Sequence, residues 1–170
     1  MTRKISLFER GYEDAYLAGL FDGEGCIYIG HPGKADNLPD GKYQLVVTLS
    51  NGHQGIIQNV QTAFGGFLQI QHVHDGRRHL GYTLHLRSRK AANFLRSVLP
   101  YLKIKRAEAI LALEFQDHMS ERCPITPDVM EYRQGCMEQM KALKTAYRHT
   151  VLDDLQPKDT DESTESKPSR

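Results

Sequence analysis

Apolar and polar residues alternate along several stretches of the chain, as expected of strands that bury one face. The clearest alternating segments are 42–50, 67–73 and 79–87. Val46 is the one apolar residue on the polar side of the first of these. An Asp75-Gly76 pair between the other two predicts a β-hairpin. Segment 26–29 has the composition of a fourth strand, and the Gly-, Pro-, Asp- and Asn-rich segment 31–41 reads as a loop.

Apolar residues at helical spacing predict helices before, between and after these strands. The predicted helices are residues 14–22, 54–64, 90–99, 104–118 and 127–147. Asp14 is suited to cap the first helix, and Gly65-Gly66 is suited to end the second. Helix, two strands, helix, two strands and helices define an α+β fold of the type αββαββα with extra C-terminal helices, in which helices cover one face of an antiparallel sheet.

The C-terminal segment differs in composition from the rest of the chain. Residues 153–170 contain six acids and three bases, which leaves 19 bases and 15 acids, a net charge of about +4, on residues 1–152. We therefore predict one domain over residues 1–152 and an acidic, polar tail over residues 153–170 that is disordered. The modest positive charge does not by itself identify a nucleic-acid-binding protein.

The remaining composition limits the cellular setting. No run of about 18 apolar residues is present, which argues against a membrane span. The N-terminus has no apolar stretch suited to a signal peptide. Cys26, Cys123 and Cys136 are scattered and odd in number, which favours a reducing, intracellular compartment.

The sheet face opposite the helices is predicted to be polar. Its side chains include Lys42, Gln44, Thr48, Gln69, Gln71, Thr83, His85 and Arg87. Amide, hydroxyl and cationic groups suit the reading of base edges in the major groove. An antiparallel sheet that simply faces water has the same pattern, so both interpretations remain open from these residues alone.

Small residues and acids are concentrated at the end of the first predicted helix. Gly19 and Gly23 lie one turn apart, which suits close packing against another helix, although Gly23 also suits a helix end. Asp22 and Glu24 lie where the helix dipole disfavours negative charge. A divalent cation bound by carboxylate and carbonyl oxygens would relieve this, and a plain surface acid is the alternative.

Residues 17–25 (LAGLFDGEG) resemble the signature of the LAGLIDADG homing endonucleases, with Phe for Ile and Gly-Glu for Ala-Asp. Residues 99–106 (LPYLKIKR) resemble a second stretch of that family, an apolar-Pro-aromatic-Leu run ending in a basic pair. The predicted order of elements also matches the family, so the resemblance covers roughly residues 12–145. It implies a saddle-shaped antiparallel sheet that lies along the major groove of DNA.

The resemblance implies roles at the catalytic centre. Glu24 matches the metal-binding acid of the motif, and the carbonyl of Gly23 is implied as a further ligand of a divalent metal, most simply Mg²⁺. Lys105 matches the basic residue near the scissile phosphate, and Lys103 is suited to contact phosphate. Asn51 matches the polar residue that orients water.

His53 and Gln54 are rivals of Asn51 for that role. The side chains expected to contact DNA are Tyr28, Lys42, Gln44, Thr48, Gln69, Gln71, Thr83, His85, Arg87 and Lys103. This assignment follows from strand alternation, in which a shift of one residue would exchange the faces.

The motif occurs once, and in the family single-motif chains act as homodimers whose motif helices cross at the twofold axis. The expected interface residues are Ala15, Ala18, Gly19 and Asp22. The function implied is site-specific cleavage of a long, near-palindromic DNA duplex. The alternatives are an intron RNA maturase and a non-catalytic DNA-binding protein on the same scaffold, and an unrelated α+β binding module is the remaining one.

Overall fold

The computed structural model describes residues 7–30, 43–74, 78–119 and 126–154. Five helices and four strands follow one another as predicted, with one helix before each strand pair. The elements are α1 (Leu7–Glu24), β1 (Gly25–Gly30), β2 (Gln44–Asn51), α2 (Gln54–Phe64), β3 (Phe67–His74), β4 (Arg78–Arg87), α3 (Arg89–Val98), α4 (Arg106–Asp117) and α5 (Pro127–Asp154). The predicted α+β class and the αββαββα order are thus confirmed, with α4 and α5 as the extra C-terminal helices.

The strands form one antiparallel sheet in the order β1-β2-β4-β3. Its register places Ile27 opposite Val47, and Val47 opposite Leu86, on the face that the helices cover. All three side chains are buried. Residues opposite one another share a face, so the next residues along these strands point to the other side, which we call the open face.

The core lies between the sheet and the helices. Phe94 of α3 is its aromatic centre, with ring centroids 5.0 Å from Phe21 and 5.3 Å from Phe64, both in edge-to-face geometry. Phe21 is fully buried although it lies next to Asp22 in the motif. The motif helix α1 is therefore anchored in the core by one side, which orients its C-terminal end.

Helix α1 begins seven residues earlier than the sequence pattern indicated. Asp14 is not its N-terminal cap, because it lies inside the helix and accepts a hydrogen bond of 2.5 Å from the Ser97 hydroxyl of α3. This bond crosses from α1 to α3, a long-range partner that local sequence does not reveal.

Two glycines set the connection between α2 and β3. Gly65 has φ of 75° and Gly66 has φ of 103°, which side chains rarely adopt. A Cβ at Gly66 would also lie 2.7 Å from the carbonyl oxygen of His85. The predicted end of the second helix is confirmed, and the turn brings β3 directly alongside β4.

Several expectations concern residues outside the described part of the chain. These are the loop 31–41, Lys42, the Asp75-Gly76 turn, Cys123 and residues 155–170. Helix α5 extends to Asp154 and so includes the first two residues of the predicted tail. Across the described ranges, none of the helices combines the length and apolar character needed to cross a membrane.

Candidate active site and DNA-facing surface

The C-terminal end of α1 places one acidic side chain in solvent. Glu24 ends the helix and is exposed, and Gly25 begins β1 with no residue between the two elements. A Cβ at Gly25 would lie 2.0 Å from the ring of Phe21, so this abrupt change from helix to strand requires glycine. The buried Phe21 thereby fixes the course of the backbone next to Glu24.

The Asp22 carboxylate is bound by the chain's own backbone. It accepts hydrogen bonds from the backbone N–H groups of Lys103, Ile104 and Lys105, at 2.8, 3.2 and 2.9 Å. Three backbone donors ahead of α4 are therefore satisfied by one charged acceptor, a strong type of hydrogen bond. Asp22 joins the two sequence segments that resembled the endonuclease family, and its carboxylate is engaged there.

The Lys105 side chain binds the same C-terminal end of α1. Its ammonium group donates a hydrogen bond to the backbone carbonyl of Asp22, one of the last carbonyls of α1 that have no partner within the helix. Glu24 lies two residues further along the chain. Asp22 therefore holds Lys105 through both its backbone N–H and its ammonium group. The predicted metal-binding acid, Glu24, belongs to the same helix end.

Two oxygen groups at this helix end are suited to bind a hard metal ion. Glu24 has no hydrogen bond or ion pair to another described residue, and the Gly23 carbonyl belongs to the same unsatisfied last turn. Carboxylate and carbonyl oxygens are ligands that Mg²⁺ accepts. No group of three or more His, Cys, Asp or Glu residues able to hold a metal occurs within the described ranges.

Asn51 lies at the same end of the sheet as Glu24. Gly25 pairs with Leu49, and Asn51 follows two residues later as the last residue of β2. Its side-chain oxygen accepts a hydrogen bond of 2.7 Å from the backbone N–H of His53. The His53 ring in turn caps α2, accepting from the N–H of Ile56 at 3.4 Å. Both side chains thus stabilise this turn, and the Asn51 amide N–H groups have no hydrogen-bond partner among the described residues.

The open face contains two fixed pairs of polar side chains. Ser50 and Thr83 are joined by a hydroxyl hydrogen bond of 2.9 Å, and Thr83 is only 9% exposed. Gln44 donates to the Ser88 hydroxyl at 2.9 Å, and its side-chain oxygen is buried without a hydrogen-bond partner among the described residues. Thr83 and Gln44 are consequently less accessible than strand alternation suggested, since neighbours on the sheet engage them.

A second group on the open face is more exposed. The ring nitrogen Nε2 of His85 lies 3.1 Å from the side-chain oxygen of Gln69, which can only accept, so His85 donates. Burial, and then the positive charge of Arg87, lower the pKa of His85 below its usual value. The ring is thus neutral at pH 7, and its tautomer is set by Gln69.

Phe67 completes this group and was missed by the sequence interpretation. It is 66% exposed and its ring centroid lies 6.3 Å from that of His85, its partner across the strands. Among the described residues, Phe67 is the most exposed of the large hydrophobic side chains. Strand alternation could have identified it, because Phe67 lies two residues before Gln69 and so points to the same face of the sheet.

The other predicted DNA-facing residues differ in accessibility. Gln71, Arg87 and Lys103 are exposed, and Tyr28 is 39% exposed, whereas Thr48 is half-buried. Val46, the apolar exception, is only 3% exposed and has Tyr28 and Arg87 as its register partners. The open face is therefore partly covered by its own larger side chains around β2.

Helix α1 presents a smooth exposed face of small residues. Ala15, Gly19 and Gly23 lie at successive turns and all are exposed, and a Cβ added at either glycine meets nothing within 4 Å. Ala18 was expected to be an interface residue, but it is fully buried in the hydrophobic core. It cannot form part of this face, which Gly23 instead extends.

Three-dimensional comparison finds homing endonucleases among the similar solved structures. I-CvuI in complex with the I-CreI target, in 2 mM Mg and with the DNA not cleaved, has a TM-score of 0.64 at 22% identity, covering 80% of this chain and 84% of that one. I-CvuI with its own target in 2 mM Ca has the same TM-score at 20% identity, covering 86% and 96%. The archaeal intron-encoded I-Vdi141I, complexed with DNA, has a TM-score of 0.58 at 11% identity, covering 85% and 98%.

These similarities define the fold. The chain has the fold of the LAGLIDADG homing endonucleases, in agreement with the resemblance of residues 17–25 and 99–106 to that family. No protein-family model matches the sequence, and the comparison with curated proteins finds no match.

Proposed function

We propose that this protein is a site-specific DNA endonuclease that hydrolyses both strands of a duplex as a homodimer, with residues 1–152 acting as one endonuclease domain. The observation that carries this proposal is the placement of the Lys105 ammonium group by Asp22 at the same helix end as Glu24, where β1 begins and β2 ends. The DNA complexes of the structurally similar I-CvuI and I-Vdi141I support a duplex as the substrate.

In this proposal the open face contacts the major groove. Gln69, His85 and Phe67 lie at its accessible end and offer amide, imidazole and aromatic groups to base edges. Arg87 and Lys103 add positive charge for phosphate. Tyr28, Gln71 and Thr48 flank them, and Thr83 and Gln44 act chiefly by fixing their neighbours.

Glu24 and the Gly23 carbonyl are the groups that hold a divalent metal, most simply Mg²⁺. When bound, such an ion supplies an activated water and positive charge at the phosphate. Lys105 stabilises the negative charge that develops on the phosphate oxygens. Asn51 orients water through its free amide N–H groups.

The dimer is proposed to form through the exposed small-residue face of α1, so that two copies of Glu24 meet near the twofold axis. Ala15, Gly19 and Gly23 allow two helices to approach closely. This arrangement explains why one subunit presents a single accessible carboxylate at the helix end and lacks a complete set of metal ligands within its described residues.

Replacing Gly19 with leucine is expected to convert the dimer into a folded monomer. The new side chain has free space within the subunit, and leucine favours a helix over glycine by about 1 kcal/mol, so the fold is retained. The same side chain would separate two crossing helices. Sedimentation velocity at micromolar concentration measures the outcome, and circular dichroism reports the fold.

Gly135→Leu is the matched control for this experiment. Gly135 is an exposed glycine of α5 at which an added Cβ also meets nothing within 4 Å. This variant should sediment as the wild type does. A Gly19→Leu protein that remains dimeric would refute the proposed interface. A wild-type protein that binds one DNA site as a monomer would refute the dimer itself.

The endonuclease activity is tested directly with a randomised duplex library. The full-length protein is incubated with the library and Mg²⁺, and sequencing recovers the duplexes cut in both strands. We expect a single long, near-palindromic consensus and no product in excess EDTA. A protein that cuts no duplex contradicts the proposal, and tight binding to structured intron RNA in that case would favour the maturase alternative.

A further inference from the structure

Glu108 is an unusual carboxylate in the first turn of α4, one turn beyond Lys105. The side chain is half-buried, and its oxygen Oε2 is buried without a hydrogen-bond partner among the described residues. An unsatisfied buried acceptor costs stability, and such groups in folded proteins call for an explanation. The helix dipole favours an acid in a first turn but does not explain why this one points inward.

The charges around Glu108 come from three different elements. Burial raises the pKa of its carboxyl group, the positive charges of Lys144 and then Lys105 lower it, and the negative charge of Asp22 raises it. Lys144 belongs to α5, Lys105 precedes α4, and Asp22 lies in the last turn of α1. Two cations therefore act electrostatically on Glu108, and one of them is the proposed catalytic lysine.

Both lysines are otherwise held by weak or neutral groups. The Lys105 ammonium donates to the Asp22 carbonyl, and the Lys144 ammonium lies 3.1 Å from the sulfur of Cys26 in β1. Neither has a carboxylate within ion-pair distance among the described residues, so Glu108 acts on them electrostatically without a direct ion pair. Both ammonium groups lie at the junction of α1 and β1, one against Asp22 and the other against Cys26. Without Glu108, the positive charge there is less compensated, in a partly buried place where charges interact more strongly than in water.

We propose that Glu108 is a positioning residue for DNA cleavage, the shared counter-ion that keeps the ammonium groups of Lys105 and Lys144 together at the edge of the active site. This role rests on the proposed endonuclease function. Loss of the carboxylate lets Lys144 repel Lys105, whose tether to the helix end is a single neutral carbonyl. The catalytic lysine then turns away from the phosphate.

Glu108→Gln removes the charge and preserves the shape of the side chain. We expect the single-turnover cleavage rate on the duplex recovered from the library to fall by about 10- to 100-fold, the range seen when outer partners of a site are lost. DNA affinity should be unchanged or higher, because a negative charge near phosphate has been removed. Glu108→Asp should recover part of the rate, and thermal stability should not fall.

Glu114→Gln is the matched control, since Glu114 is an exposed glutamate of the same helix. Its rate should equal that of the wild type. A merely structural role for Glu108 would instead lower stability, affinity and rate together. A merely electrostatic effect on binding would strengthen binding and leave the rate constant unaffected.

Lys144→Met provides the decisive second variant. In the Glu108→Gln background it removes the repelling cation, so it should restore part of the lost rate. In a Lys105→Arg background, Glu108→Gln should cost less than in the wild type, because interacting residues are not additive. The inference is overturned by a Glu108→Gln protein that cuts at the wild-type rate, or by effects of the three substitutions that simply multiply.

A wild-type protein that cuts no duplex overturns the endonuclease function, and the role of Glu108 with it. A wild-type protein that cuts normally beside an equally active Glu108→Gln variant overturns only the role of Glu108.

Discussion

Replacing Glu24 with glutamine is expected to lower the rate of DNA cleavage by more than about 1,000-fold, since losing a ligand itself should exceed the 10- to 100-fold cost of losing an outer partner. The amide keeps the size of the side chain and removes the negative charge that a divalent metal requires. Because Glu24 is exposed and has no partner among the described residues, the fold should be unaffected. Single-turnover cleavage in Mg²⁺ measures the effect.

Binding separates this chemical role from a recognition role. The Glu24→Gln protein should bind the selected duplex with an affinity close to that of the wild type, measured without divalent metal. Glu131→Gln, which changes an exposed glutamate of α5, serves as the control and should cut normally. A Glu24→Gln protein that cuts at the wild-type rate would rule out the proposed metal site.

The second large effect is expected on stability, from Asp22→Ala. The substitution leaves the N–H groups of Lys103, Ile104 and Lys105 without their acceptor. Hydrogen bonds to a charged group contribute about 1.5–3 kcal/mol each, and because three on one carboxylate are not independent we expect a loss of about 3 kcal/mol. Urea unfolding at a fixed protein concentration measures it, and cleavage should fall as well because Lys105 loses its placement.

Asp117→Ala is the comparison for this experiment. Asp117 forms an ion pair of 2.5 Å with Arg96, and both side chains are largely exposed, at 61% and 49%. Exposed pairs of this kind contribute about 0–1 kcal/mol. If Asp22→Ala is no more destabilising than Asp117→Ala, the carboxylate does not hold the segment before α4 in the way described.

The sequence was most informative where a pattern is local. Period-two alternation located β2, β3 and β4, and the helical stripe with its terminal glycines located α2 at its observed bounds. Glu24 could be selected because it occupies one position of a recognisable motif. These features depend on neighbours within a few residues, which is the range over which periodicity and turn chemistry act.

Partners distant in sequence were beyond that range. Asp14 is a suitable capping residue by type, but it lies inside α1 and accepts a hydrogen bond from Ser97 of α3. A capping rule, which uses only neighbouring residues, therefore placed the start of α1 too late. Ala18 looked like an interface residue beside Gly19, yet adjacent helix positions point about 100° apart, and Ala18 faces the core. The exposure of Phe67 and the burial of Thr83 likewise depend on which strand lies at the edge of the sheet.

The amino-acid sequence alone thus determined the order of helices and strands, the polar character of one sheet face and the acid at the end of the motif helix. Only the tertiary structure decided that Asp22 joins the end of α1 to the segment before α4, and that the Lys144 ammonium group of α5 reaches Cys26 in β1. The physical reason is that periodicity assigns each side chain a face, whereas contacts between faces arise from packing among segments about 80 to 120 residues apart, as with Asp22 and Lys105 or Cys26 and Lys144.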